Sequence, residues 1–153
     1  MTDFHHYCNN FHSSPMTNAR HSVDGIIQYL NTDLDLTSAD DLTELAETFK
    51  AGGVFPIHVT RGDNGMWYAT FETNAQHTEP EPNIAAMLAV VESLVPLLRS
   101  VWAGCSRREF NIGYNCGREP WAFNQALSAG LLGRMAAEAT LRFTLYPVRE
   151  PGL

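Results

Sequence analysis

Apolar residues recur with a regular period only from about Ile26 onward. Residues 1–24 are rich in Asn, His and Ser and hold no sustained period, which reads as a polar tail ahead of one globular domain spanning 25–153. Over Ile27–Leu36, Leu30, Leu34 and Leu36 share one parity while Asn31, Asp33 and Asp35 share the other, as in a strand with a single buried face. That parity turns both aspartates away from the core. Ser38 then predicts a helix start, with Asp41 three residues on and acids where the helix dipole favours them. Leu42, Leu45, Ala46 and Phe49 repeat at helical spacing until Gly52-Gly53 ends the helix.

A hairpin follows. Val54–Thr60 and Met66–Thr73 flank a loop whose Asn64-Gly65 pair suits positive φ angles. Phe55, Ile57 and Val59 are expected on one face of the first arm, and Trp67, Ala69 and Phe71 on one face of the second. Pro56 cannot donate to a ladder and predicts an edge strand or a bulge. Asn83 is placed to cap a second helix carrying Ile84, Met87, Leu88, Val91, Val95 and Leu98, which Pro96 should kink or end early. Glu109–Tyr114 reads as a fourth strand with Phe110, Ile112 and Tyr114 inward. Helical sequence is expected from about Trp121, with a restart at Ser128 and Leu131, Leu132 and Met135 on its apolar side. Leu141, Phe143 and Leu145 mark a last strand. The order β-α-β-β-α-β-α-β predicts an α+β two-layer sandwich: a mainly antiparallel sheet with helices on one face and a ferredoxin-like start.

Composition narrows the function. Three scattered cysteines argue against a disulfide framework and fit a reducing compartment. The start of the chain lacks a basic-then-apolar leader and no apolar run reaches membrane-spanning length, so the expected location is cytoplasmic, without membrane partners. The net charge of −7 speaks against nucleic-acid binding. That charge is unevenly divided. Residues 1–98 hold thirteen acidic and three basic side chains, and residues 99–153 hold four and seven. An uneven distribution of this kind bears on partners rather than on fold.

Candidate chemistry is sparse. Neither a phosphate-binding Gly-rich loop nor a Gly-x-Ser-x-Gly elbow occurs, and no cofactor is implied. His5, His6, Cys8 and His12 match no closed zinc spacing and read as an adventitiously chelating tail, so no metal site is assigned. Cys105 and Cys116 have Arg107, Arg108 and Arg118 nearby in sequence, yet a packed, inert thiol is the expected state. Asp33 and Asp35 project from one strand face and join Asp40, Asp41, Glu44 and Glu47 in an acidic run suited to a basic protein partner. His58, Glu109, Asn111 and Arg142 are the other polar residues that alternation assigns to strand faces; if those strands share the open side of the sheet with Asp33 and Asp35, His58 and Glu109 would form the acid–base pair of an alternative site. The Pro120–Gln125 stretch is dense in aromatics and amides and suits either a core-facing helix start or a docking anchor.

Several segments carry a resemblance. Asp33-Leu34-Asp35-Leu36-Thr37-Ser38, Met66-Trp67-Tyr68-Ala69-Thr70-Phe71-Glu72 and Arg108-Glu109-Phe110-Asn111-Ile112-Gly113-Tyr114 look like stretches of small bacterial α+β proteins without an assigned activity. So do Pro120-Trp121-Ala122-Phe123-Asn124-Gln125 and Leu141-Arg142-Phe143-Thr144-Leu145-Tyr146-Pro147. The resemblance covers roughly 27–147 and implies a folded bacterial domain with no catalytic residues to carry over. In size and acidity such proteins are similar to immunity proteins, which neutralise basic toxin domains. The expectation is a non-enzymatic, acidic protein-binding module of that kind. The alternatives are a small enzyme or ligand-binding domain on the open sheet face, and a homodimer joined through Trp and Phe residues.

Overall fold

The computed structural model describes residues 25–147. Five strands and four helices follow one another as β1 (Gln28–Ser38), α1 (Thr43–Ala51), β2 (Val54–Arg61), β3 (Trp67–Thr73), α2 (Pro80–Glu92), α3 (Pro96–Gly104), β4 (Arg107–Cys116), α4 (Ala129–Glu138) and β5 (Thr140–Pro147). They form the expected α+β sandwich. The strands lie in the order β2-β3-β1-β4-β5; β5 runs parallel to β4 and every other neighbouring pair is antiparallel. The described helices share one face of this sheet.

Alternation decides which side chains meet them. Leu34 and Leu36 of β1, Ala69 and Phe71 of β3, and Phe110 and Ile112 of β4 are all buried beneath the helices. They pack with Leu45 and Phe49 of α1, Ile84, Leu88 and Val91 of α2, and Trp102 of α3 in one continuous core. Phe49 sits edge-on to Phe71, with ring centroids 5.0 Å apart.

Local structure departs from the sequence pattern in four places, each with a physical reason. Ser38 ends β1 instead of capping α1: its hydroxyl accepts from the Asp40 amide at 3.0 Å, and Asp41 Oδ1 accepts from the Thr43 amide at 2.7 Å. Pro80 sits in the first turn of α2, starting it ahead of Asn83, which lies buried within the helix. Pro96 separates two helices and occupies the first turn of α3, so the sequence expected as one long helix forms two. The stretch from Trp121 to Leu127 is not helical; α4 begins after Ser128, whose hydroxyl accepts from the Leu131 amide at 3.2 Å.

Pro56 does both things its chemistry allows. It lies on an edge strand, and the ladder shifts register between Pro56 and His58. The bulge breaks the expected Phe55–Ile57–Val59 alternation: Phe55 pairs with Glu72 and His58 with Thr70, while Val59 pairs with Ala69 over the core.

Candidate functional site

The sheet face opposite the helices is polar, and β1 supplies its centre. Asp35 lies directly across from Glu109 on β4 and from Thr70 on β3. Thr70 donates its hydroxyl to Asp35 Oδ1 at 2.7 Å. Asp35 Oδ2 is 3.2 Å from Arg107 Nη2 and 3.1 Å from Arg142 Nη2. Glu109 Oε1 meets the same two guanidiniums, at 3.1 Å in the case of Arg142 Nε. Two carboxylates and two guanidiniums from three strands thus close a ring of ion pairs. Asn111 is buried beside it and accepts a 2.6 Å hydrogen bond from the Thr144 hydroxyl.

Asp33 sits outside this ring. It faces Asn111 on β4, and the Asn31 amide donates to its Oδ1 at 2.9 Å. Burial first, then the charges of Asp35 and Glu72, push its carboxyl up to about 6, with Arg142 opposing the shift weakly. Glu72 lies next to it on β3, one residue beyond the Leu34–Phe71 pair.

The structure therefore unites residues that the sequence analysis put in two groups. Asp33, Asp35, Glu109, Asn111 and Arg142 share one face of three adjacent strands. His58 is in register with Thr70 on that face, but two strands away from β1 and exposed. Asp40 and Asp41 lie in the connection after β1, and Glu44 and Glu47 are exposed on α1 in the opposite layer. Sequence reasoning did not select Arg107, Thr70 or Glu72. The parity of Arg107 with Glu109, and of Thr70 with Glu72, was the available signal.

Among the clefts of the described residues are one of ≈ 500 Å³ and one of ≈ 290 Å³, and His58, Glu109 and Arg142 line neither. The larger lies at one corner of the open face, between β1, the end of β3, the β3–α2 loop and α2. Cys105 is buried, and burial raises its thiol above the ordinary range, as an inert packed cysteine requires. The aromatic stretch after Pro120 is divided. Phe123 packs edge-on to Tyr114 at 5.4 Å between centroids, whereas Trp121 is 96% exposed. His5, His6, Cys8 and His12 lie outside the described residues. Among the described residues no helix is long and apolar enough to cross a membrane. Compared with family models, curated proteins and solved structures, the chain matches none of them.

Proposed function

We propose that this chain is a non-enzymatic protein-binding module for a basic partner, most concretely an immunity protein that neutralises a basic toxin domain. The observation that carries this reading is the state of charge on the open sheet face. Its arginines are already engaged with Asp35 and Glu109, and acidity remains in excess at Asp33 and Glu72. Such a surface attracts and orients a cationic protein, while Tyr68 and Tyr146 on the same face supply aromatic contact area.

A catalytic use of His58, Glu109 and Arg142 draws less support. Glu109 and Arg142 neutralise each other, His58 stands two strands from the centre, and neither the ≈ 500 nor the ≈ 290 Å³ cleft is lined by any of the three. The test is affinity capture with the tagged full chain from the organism that encodes it, run beside the Asp33→Lys/Glu72→Lys variant. Recovery of one basic protein by the parent and its loss from the variant supports the reading. Equal recovery by both, or recovery of nothing, contradicts it.

A further inference from the structure

The ≈ 500 Å³ cleft at the corner of the sheet has a consistent chemistry. Its size suits a small organic group, and polar side chains converge on it. Glu72 and Asn31 form the wall it shares with the open face, and Tyr29 and Phe55 add aromatic surface. No lysine or arginine lines it.

The inner wall is held in place by a chain of hydrogen bonds. The Thr73 hydroxyl donates to Asn83 Oδ1 at 2.9 Å, and Asn83 Nδ2 donates to the Tyr29 oxygen at 2.7 Å. The Tyr29 hydrogen is then directed to Thr32 Oγ1, 2.9 Å away. One feature at the edge of the cleft is unfavourable as it stands: Glu72, in its wall, is a like charge to Asp33 on the neighbouring strand, an arrangement that destabilises a sheet. A bound cation beside Glu72 relieves this by offsetting the paired carboxylates. An anion would face Glu72 with no counter-charge. A metal ion would lack ligands, since among the described residues no three His, Cys, Asp or Glu side chains cluster.

We propose that this cleft binds a primary ammonium or guanidinium group, with Glu72 as its counter-ion and Tyr29 and Phe55 as cation–π walls. The group comes either from a free small amine or from a lysine or arginine side chain of another protein. The site stands on its own geometry, and it holds or falls separately from capture of a basic partner.

The experiment is a titration of the ¹⁵N-labelled full chain, followed by ¹H–¹⁵N spectra. One arm adds agmatine and the other a blocked Gly-Lys-Gly peptide, with the Nε-acetylated peptide as the neutral control. Saturable millimolar shifts are expected at the Asn31 and Asn83 side-chain amides and along the Glu72–His77 backbone. Glu72→Gln should weaken binding by about fivefold or more, and Glu47→Gln on α1 should not change it. Tighter binding of agmatine identifies a free amine as the source; tighter binding of the lysine peptide identifies a protein side chain. Either result supports the site. Shifts confined to Glu44 and Glu47 on α1, indifference to Glu72→Gln, an equal response to the acetylated peptide, or no shift at all overturns it.

Discussion

Asp33 is the residue whose energetics are most exposed to measurement. Its carboxyl is raised to about 6 in the folded chain, so the native state holds the proton more tightly than the unfolded state does. The stability linked to this group is complete below the ordinary carboxylate pKa and is lost as pH rises towards about 6. Near neutrality, ionised Asp33 destabilises the fold. Because the side chain is only half-buried, solvent screening holds the effect to about 1–2 kcal/mol. Asp33→Asn should therefore raise stability by about that amount at pH 7.5 and by clearly less at pH 4.5, read from urea unfolding. A gain of equal size at both pH values would contradict the assignment.

Glu138 presents the opposite case, a buried carboxylate with its partners in place. The Trp102 indole N–H donates to Oε2 at 2.9 Å, and Arg99 pairs with Oε1. Glu138→Ala leaves a buried indole donor without an acceptor and should cost about 2–3 kcal/mol in the same unfolding measurement. Loss of less than about 0.5 kcal/mol would show that water replaces the carboxylate there. From sequence this residue had no signal, because one glutamate near a helix end reads as surface.

At the scale of elements, the approach of the chain to β1 brings two backbone segments into close contact. Arg118 and Glu119 amides donate to the Gly25 carbonyl at 2.9 and 3.1 Å, and the Ile27 amide donates to the Glu119 carbonyl at 2.7 Å. A Cβ on Gly117 would lie 2.4 Å from backbone atoms of Gly25 and Ile26. Gly117→Ala should thus force the two segments apart and lower stability by about 1–3 kcal/mol, whereas Gly133→Ala, with open space at its Cβ, should not. Equal melting of the two variants would refute the contact.

Element identity was legible wherever alternation or helical spacing was long and uninterrupted. The β1 parity of Leu34 and Leu36 against Asp33 and Asp35 placed the open face correctly, because a one-residue slip would bury two carboxylates. Boundaries failed where proline or a small polar side chain offered the backbone a second solution, as at Ser38, Pro80, Pro96 and the bulge after Pro56. The exposed edge strand was less legible still. Phe143 and Leu145 have the parity of core residues, yet they are 56% and 63% exposed, since β5 ends the sheet and only α4 lies over it.

For the molecule as a whole, the charge imbalance along the sequence is partly cancelled by folding. Arginines of the C-terminal third pair with carboxylates from the acidic part: Arg107 and Arg142 with Asp35, and Arg134 with Glu92 at 2.8 Å. Of the surplus that survives, two separate groups stand out: Asp33 with Glu72 on the open face, and Asp40, Asp41, Glu44 and Glu47 around the start of α1. A sequence shows the imbalance but not its cancellation, because pairing across strands depends on strand order. For the same reason the candidate site was half legible. Asp33, Asp35, Glu109 and Arg142 were selected from parity, while Arg107, Thr70 and Glu72 joined them only once β3 and β4 lay beside β1.

The central claim is that the open-face surplus, rather than the α1 acids, guides a basic partner. The most direct measurement is the association rate of the captured partner with three forms of the chain across a range of salt concentrations. The forms are the parent, Asp33→Lys/Glu72→Lys and Glu44→Lys/Glu47→Lys. The open-face variant should associate about tenfold more slowly at low salt with a flattened salt dependence, and the α1 variant should stay close to the parent. An unchanged rate in the open-face variant, or a larger loss in the α1 variant, would contradict the account.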